Sequence, residues 1–550
     1  MLARADSVSG TSHYYVRVPA GAVLTHYIGI TASYVSNTWK IYWYKKNDLS
    51  TLQEQTIIFN NQYTSSTTNS SNDAYSSAGY TIEIDPDTDY IVGIADASSR
   101  NYGTSWLARF GTSYAYMNAG TAEASYVKNI RQIINIDTSA TMYWEDANIT
   151  YDTSYGPTGS FLAERFAFWT NLEKIVDHQN TYIEMTSRSQ AVSNYGYVPT
   201  SPSTGFIMYR TFYNCASLSY VRLPKIKLYG VMTRFFDRLC FAYTFYNCTS
   251  LTETVSLLPD PTEDDSYYPT WVGSYFEYCM YQGCTSLTTT HDKFGYGVFK
   301  YMPLSGWTSS FYDASFYNHA AYYYKGYKYR YCNSLLEPEP EASTIPIDGG
   351  AYLYTNQTIE GFAYGMYYGC TSLQYAAAEG TITNPTSKVT GITLKNFKQV
   401  QYQGCISLEY CAGQLADFTV YSNISFTVGS SFRRNQFCNC NKMKFTVSGL
   451  GVTPLRLTDM MQYVLTQGMS SGQPNTYNLY EMFYLDSSHQ VNNGDSTPLY
   501  ATASQTVSQY YSGYPTFSGT NGSYPGNRIL GGHDNMSDYA SLPTYFKTGV

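Results

Sequence analysis

The stretch FYNCASL, residues 212–218, recurs along this chain and decides its predicted fold. A short apolar signature that returns at a nearly constant spacing is typical of stacked units, because each unit can bury its apolar side only against its neighbours. Four other copies keep nearly the same letters and two more are looser: FYNCTSL (245–251), MYQGCTSL (280–287), MYYGCTSL (366–373), VQYQGCISL (400–408), then YRYCNSL (329–335) and QFCNCNKM (436–443).

Each copy carries one anchor cysteine, and in six of the seven copies a leucine follows three residues later. A Gly or Asn before the cysteine suits a tight turn, and a free cysteine behaves as a small buried hydrophobe. We therefore predict units made of a short helical turn that carries the aromatic residues, a tight turn and a strand. The predicted structural anchors are Cys215, Cys248, Cys284, Cys332, Cys370, Cys405 and Cys440, with Leu218, Leu251, Leu287, Leu335, Leu373 and Leu408.

This order of aromatic residue, cysteine and leucine resembles the BspA-type leucine-rich repeats. The resemblance covers roughly residues 206–451 and implies a curved solenoid of seven units around a parallel sheet, with insertions in some units. It also implies the setting of that family, which is known mainly from microbial surface proteins and adhesins. The chain departs from the family in its longer, more variable spacings and in the proline-rich EPEPEAS (337–343), which replaces the strand expected after Cys332.

The segments that flank the repeats predict a mainly β protein with an N-terminal β-sandwich of jelly-roll type, a short helical neck and then the solenoid. Residues 1–137 alternate polar and apolar residues in several short runs separated by turn signals. Residues 138–205 are interpreted as a connector whose segment 160–176 has the apolar spacing of an amphipathic helix. Residues 452–550 are interpreted as a degenerate capping repeat, with Asp486 in the cysteine position, and an irregular tail.

The composition narrows the class of partner. Only 13% of the residues are charged and the formal net charge is -8, which argues against a nucleic-acid partner. The nearest basic cluster is Arg433, Arg434, Lys442 and Lys444, interpreted as a solvated edge of the repeats. The 61 tyrosines either fill the interior or form a binding surface. Likewise Trp39, Trp43 and Trp106 either pack in the sandwich or form a platform for stacking on a glycan.

A search for catalytic and metal-binding patterns predicts neither an enzyme nor a cofactor. The histidines are scattered, and the string GMSSG (468–472) lacks the helix that a nucleophile elbow needs. The cysteines form no CxxC pair and imply neither a metal site nor a disulfide framework. The first residues lack the apolar run of a signal peptide, and no apolar stretch is long enough for a membrane span, so we expect neither.

Together these features predict a non-enzymatic structural or adhesive protein located in a virion. The expected role is a phage fibre or a receptor-binding protein attached to the capsid or tail. Its expected partners are other virion proteins and a glycan or protein of the host surface, and the chain is expected to form a homo-oligomer, for example a trimer. Two alternatives stay open: an exported adhesin of a microbial cell surface, and a glycan hydrolase with a carboxylate pair in a groove.

Overall fold

The structure of the protein is a computed structural model. It describes residues 12–18, 23–29, 37–45, 48–59, 75–83, 90–96, 109–110, 132–136, 166–167, 170, 172–176, 182–186, 208–223, 225–229, 241–258, 275–291, 302–303, 319–320, 323–341, 343–348, 357–383, 390–416, 425–429, 431–447, 453–457, 479–489, 497–512 and 528–548.

The chain forms two compact units, and strands predominate over helices in the described residues of both. The predicted mainly β class is therefore confirmed. No helix among the described residues is long and apolar enough to cross a lipid bilayer. Unit 1 comprises Met1–Gly230, Tyr243–Leu251 and Val255–Pro259, and unit 2 comprises Val231–Ala242, Thr252–Thr254 and Asp260–Val550.

Unit 1 is built from one large sheet and two small ones. The large sheet has the strand order β11-β9-β8-β1-β6-β3-β4; a three-stranded antiparallel sheet has the order β5-β2-β7, and β10 pairs in parallel with β12. The strands are β1 Ser12–Val18, β2 Val23–Gly29, β3 Asn37–Lys45, β4 Asp48–Phe59, β5 Tyr75–Glu83, β6 Tyr90–Asp96, β7 Arg109–Phe110, β8 Gln132–Ile136, β9 Lys174–Val176, β10 Tyr182–Thr186, β11 Tyr220–Arg222 and β12 Lys225–Tyr229.

The strands predicted from alternating polarity near the N-terminus are confirmed, and they pair as an antiparallel sheet. β1 pairs with β6 and β8, and β3 pairs with β4 and β6. Strand β2 forms without this signal, because Thr25 and His26 interrupt the apolar alternation of VLTHYIG.

The helix predicted over residues 160–176 is wrong where the structure describes that segment. Phe166, Ala167 and Thr170 lie in turns, and Lys174–Val176 forms β9, which pairs in parallel with β11 and β8. Apolar residues at a 3.6-residue spacing also suit a chain that turns tightly and then extends. The β-branched pair at the end, Ile175 and Val176, favours the strand.

The same segment is an additional copy of the motif. The ring of Phe166 stacks on that of Phe212 with centroids 5.4 Å apart, and Phe212 stacks on Phe245 at 5.3 Å. Leu172 is fully buried, as are the motif leucines, while Trp169 takes the cysteine position in the sequence. The motif therefore begins earlier in the chain than the cysteines alone indicate.

The sheets of unit 2 are small and mostly parallel. Their strand orders are β13-β15-β18, β14-β16-β19-β21 and β17-β20-β22-β23, and only the pairing of β22 with β23 is antiparallel among these described strands. The elements are β13 Met302–Pro303, β14 His319–Ala320, β15 Thr344–Asp348, β16 Gln357–Glu360, β17 Tyr375–Ala376, β18 Thr381–Thr383, β19 Gly391–Lys395, β20 Tyr410–Cys411, β21 Ser425–Val428, β22 Thr446–Val447, β23 Thr453–Pro454, α1 Val507–Tyr511, a 3-10 turn Tyr539–Ser541 and α2 Thr544–Lys547.

Two ladders of aromatic rings occupy the interior of unit 2. In the first ladder, neighbouring ring centroids are 5.1–5.6 Å apart and the ring planes are within 9° of parallel. The second ladder starts five residues earlier in each copy, with centroids 5.2–5.8 Å apart. The first ladder is Tyr281, Tyr329, Tyr367, Tyr402, Phe437 and Phe483; the second is Phe276, Tyr324, Phe362, Phe397 and Phe432.

The backbone of the aromatic segment differs from the short helical turn that the sequence predicts. In one copy Tyr323, Lys325 and Tyr327 have φ between 51° and 53°, so every second residue is left-handed. The N–H groups consequently alternate in direction: that of Tyr327 donates to Tyr364 of the next copy at 2.7 Å, whereas that of Lys328 donates back to Lys325 at 3.3 Å. A helix directs all its N–H groups along one axis and cannot form this ladder between copies.

Two copies near the C-terminus replace the anchor cysteine. The predicted capping copy stacks Phe483 on Phe437 at 5.2 Å and has Asp486 in the cysteine position. A further copy, LGGHDNM (530–536), was not predicted, because it lacks both the aromatic residue and the cysteine. In it the Nε2–H of buried His533 donates to the carbonyl oxygen of Phe483.

We expect the Tyr367→Ala variant to lose about 3–5 kcal/mol of unfolding free energy, because it opens a cavity between two stacked rings. Tyr367 is fully buried between Tyr329 and Tyr402. The matched control is Tyr410→Ala, which removes a partly exposed ring stacked on Tyr375 and should cost less than about 1.5 kcal/mol. Urea unfolding measures the loss of unfolding free energy in both variants. Equal losses would contradict the ladder as the main source of stability.

Candidate functional site

The seven predicted anchor cysteines are all buried and carry free thiols, and the six predicted leucines are buried as well. Most of the thiols donate a hydrogen bond to the carbonyl oxygen of the ladder residue in the preceding copy. The Sγ···O distances lie between 2.9 and 3.1 Å for Cys215, Cys248, Cys332, Cys370, Cys405 and Cys440. Each of these sulfurs therefore joins two copies.

The thiols are unsuited to chemistry. Burial raises the pKa of Cys370 to about 12 and raises the pKa values of Cys332, Cys405 and Cys440 well above that of a free thiol. Since the thiolate is the reactive form of cysteine, these sulfurs are inert at neutral pH. Their contribution is packing and one hydrogen bond each.

The tryptophans proposed as a glycan platform are described only in part. Trp39 and Trp43 lie on β3, where they pair in register with Ile57 and Gln53 of β4. Trp106 lies outside the described residues. The three-tryptophan platform stays a prediction.

The tyrosines of unit 2 fall into an inner set and an outer set. The inner tyrosines belong to the ladders and are buried. The outer tyrosines are partly exposed and recur in several copies, and Tyr331 among them is 40% exposed. The inner set therefore fills the interior, whereas a binding role of the outer set stays a prediction. Four outer tyrosines of two neighbouring copies form a group with one arginine: Tyr327, Tyr331, Tyr364 and Tyr368 with Arg330.

These five side chains form what we call the Arg330 tyrosine cluster. The guanidinium carbon of Arg330 lies 4.8 Å from the ring centroid of Tyr327, 4.7 Å from that of Tyr331 and 5.2 Å from that of Tyr368. Its Nη2 donates to the hydroxyl of Tyr331 at 3.1 Å. The rings meet edge to face, Tyr327 with Tyr364 at 5.1 Å and Tyr331 with Tyr368 at 5.6 Å. Cation–π attraction and these ring pairs hold the cluster together.

Two glycines allow the outer rings to lie against the neighbouring copy. Gly365 and Gly369 have φ of +56° and +72°, and a Cβ atom there would stand 2.4 Å from the ring of Tyr327 and 2.7 Å from the ring of Tyr331. A side chain at either position would strain the backbone and displace a ring. The two glycines in the next copy's sequence, YGMYYG, therefore allow the rings of Tyr327 and Tyr331 to pack against its backbone.

Beneath this surface lies a first buried ionic network. Lys325 and Lys328 are both fully buried and both contact Glu277 and Glu339. The Nζ of Lys328 lies 2.8 Å from Glu277 and 3.1 Å from Glu339. The hydroxyl of ladder residue Tyr329 also donates to Glu339 at 3.0 Å. Two cations meet two carboxylates, so the network is neutral, as a buried group of charges must be.

A second buried network lies two copies further along. Lys398 contacts Glu341 at 3.0 Å and Glu379 at 3.2 Å. Arg433 donates from Nη1 to Glu379 at 2.7 Å and to Gln436 at 2.9 Å. This network also balances two cations with two carboxylates. Arg433 is fully buried, which corrects the interpretation of its basic cluster as a solvated edge; Lys442 and Lys444 are exposed.

The buried networks lower the pKa of two carboxyl groups and raise that of a third. For Glu339, burial alone would raise the pKa, but Lys325 and Lys328 outweigh burial and lower it. For Glu379, the pKa is likewise far below that of a free glutamate, because Arg433 and Lys398 overcome the effect of burial. For Glu341, burial prevails over Lys398 and raises the pKa.

These ionic networks do not follow from the repeat motif, although the sequence carries a signal for them. EPEPEAS replaces an expected strand, but its alternate glutamates are spaced as residues that point to one side of an extended chain. Glu339 and Glu341 are the two that meet the buried lysines. Lysines inside an otherwise apolar motif, at Lys325, Lys328 and Lys398, are the other half of the signal.

No group of three or more metal-ligating side chains occurs in the part of the chain that the structure describes. Comparisons with models of protein families, with curated proteins and with solved structures found no match for this chain.

We expect Glu339→Gln to lower the unfolding free energy by about 3–5 kcal/mol at neutral pH, because it leaves two buried lysines short of a carboxylate. The stabilisation by ionised Glu339 is present above the pKa of an unfolded glutamate, about 4.3, and is lost as the pH falls toward the lower pKa of the folded state. The variant should therefore lose less stability than the native chain on acidification below about pH 5.

Urea unfolding at several pH values measures both effects. The matched control is Glu409→Gln, because Glu409 is 48% exposed and stands 3.9 Å from Lys444. An exposed pair of this kind contributes about 1 kcal/mol or less. If Glu339→Gln has the same unfolding free energy as the control at every pH, the ionic network does not stabilise the fold.

Proposed function

We propose that this chain is a non-enzymatic structural and adhesive protein of a phage virion, such as a fibre or a receptor-binding protein attached to the capsid or tail. The observation that carries the proposal is the contrast between the interior and the outer surface of the motif copies in unit 2. Their interior is closed by rings, thiols and neutral ionic networks, whereas their outer tyrosines are partly exposed. A rigid stack with an aromatic surface suits attachment to a partner.

The proposal includes the finer fold. The parallel pairing of β16, β19 and β21 in steps of about one motif copy supports a BspA-like leucine-rich-repeat solenoid over residues 206–451. The antiparallel sheets near the N-terminus support a β-sandwich of jelly-roll type over residues 1–137. Residues 138–205 would connect the two, and residues 452–550 would carry the cap and tail.

The state of the cysteines favours a virion protein over the alternative of an exported adhesin. All ten cysteines among the described residues are free and buried. Thiols persist in proteins that fold in a reducing cytosol, whereas chains that fold after export meet conditions that form disulfides. Phage proteins fold and assemble inside the host cell, so a column of thiols is compatible with that route.

The surroundings of the buried glutamates favour a binding role over the alternative of a glycan hydrolase. A hydrolase needs two carboxyl groups that face a substrate groove. Glu341 and Glu379 both contact Lys398, and their side chains are 2% and 6% exposed. Carboxyl groups that are enclosed in this way are engaged in the interior and do not face a substrate.

Mass spectrometry of purified phage particles from the source population tests the proposal. We expect peptides of this chain to co-purify with the major capsid protein through a density gradient, in proportion to the particle count. A host cytosolic enzyme that is lost in the gradient is the control. Absence of the chain from particles, together with its presence in the envelope fraction of uninfected cells, would instead support the adhesin. The same particles would reveal its neighbours and whether it forms a homo-oligomer such as a trimer.

A further inference from the structure

We propose that the Arg330 tyrosine cluster is a binding site for an acidic glycan, with Arg330 holding the carboxylate of one sugar and the surrounding tyrosines holding its ring. The inference rests on the proposed adhesive function, for which it supplies a site and a class of ligand.

The charge of Arg330 is available to a ligand. Among the described residues no carboxylate pairs with Arg330, and the rings around its guanidinium are those of tyrosines. Two other arginines of unit 2 are paired with carboxylates: Arg433 contacts Glu379 and Arg528 contacts Glu481. A guanidinium binds a planar carboxylate through two parallel hydrogen bonds. Arg330 therefore has the chemistry to bind a carboxylate, and no residue that the structure describes supplies one.

The rings around Arg330 fit a sugar. The pyranose ring presents C–H groups on its faces and hydroxyls on its rim, and tyrosine offers an apolar face with a hydroxyl that hydrogen-bonds. Tyr331, the most exposed member at 40%, lies against the guanidinium. The partly exposed Tyr364 and Tyr368 lie in the next copy of the motif. Tyrosines give such contact at a low cost in side-chain entropy.

The cluster is already arranged for binding. Arg330 is held by three rings and by the hydroxyl of Tyr331, and the rings of Tyr327 and Tyr331 lie on Gly365 and Gly369. Ordering side chains on binding weakens affinity, and side chains that are held beforehand avoid that cost.

A glycan fits this surface better than a peptide or a nucleic acid. An extended peptide adds to a sheet by using free backbone groups, but here the N–H groups of Tyr327 and Tyr331 donate to Tyr364 and Tyr368, and that of Gly369 donates to Gln403. A nucleic acid requires many cations, whereas this cluster has one and the chain has a net charge of -8. One cation among tyrosines matches one carboxylate on a sugar.

The test is an array on which each carboxylate-bearing glycan is printed beside its neutral, carboxyl-reduced form, with poly-glutamate and single-stranded DNA as further spots. The full chain is compared with Arg330→Gln, Tyr331→Ala and a charge-matched control, Lys442→Gln. Lys442 is exposed and lies outside the cluster. Thermal unfolding of every variant verifies that the fold is retained.

We expect the native chain to bind at least one acidic glycan about ten-fold or more tightly than its reduced form, since a hydrogen bond to a charged group is lost in the reduced form. Arg330→Gln should remove that preference while Lys442→Gln keeps it, and Tyr331→Ala should weaken both forms of the glycan. An acidic preference that survives in Arg330→Gln would overturn the inference, as would binding confined to poly-glutamate or DNA, or no acidic preference at all.

The two proposals fail separately. If the chain is present in purified particles but Arg330→Gln binds as the native chain does, the glycan site is wrong and the virion role stands. If the chain is absent from particles while the array shows the expected loss, the site stands and the virion role is wrong.

Discussion

The stacking of one aromatic ring on its counterpart in the next copy is the interaction on which unit 2 depends. The rings of Tyr329, Tyr367 and Tyr402 lie almost parallel at 5.1–5.4 Å, and below them each thiol bonds to the carbonyl group of the preceding ring residue. Together the two contacts fix the register of neighbouring copies. A shift by one residue would place the partly exposed Tyr368 in the interior and bring a ladder ring to the surface.

The ionic networks distinguish one copy from another, which the ladder does not. Rings that are nearly identical in every copy stabilise any order of copies about equally, and a buried ion pair is weak evidence for stability by itself. Lys325 and Lys398, however, occupy the same motif position, and Ala363 occupies it in the copy between them. Each charged copy therefore fits beside one particular partner, so the networks specify which copies are neighbours.

Sequence patterns predicted the interior of the motif and failed where the partner is distant. The burial of Cys370 and Leu373 follows from the spacing of small and apolar residues, and the early strands follow from alternation. The helix prediction for residues 160–176 failed because turns and helices share the same apolar spacing. The prediction that Arg433 is exposed failed because its partner Glu379 lies 54 residues away. The Arg330 tyrosine cluster also combines side chains of two copies, and no local pattern separates its tyrosines from those of the ladder.

The alternating left-handed residues have a consequence for how such a chain evolves. Each such residue costs about 1–2 kcal/mol in an L-amino-acid chain, and Tyr323, Lys325 and Tyr327 bear that cost within one copy. Hydrogen bonds to adjacent copies offset this conformational cost. A single copy without neighbours lacks these bonds, so its backbone conformation is not stabilised. Growth and shrinkage of the array should thus proceed by duplication or deletion of entire modules, since a fragment of a module would inherit the strain without the neighbours that relieve it.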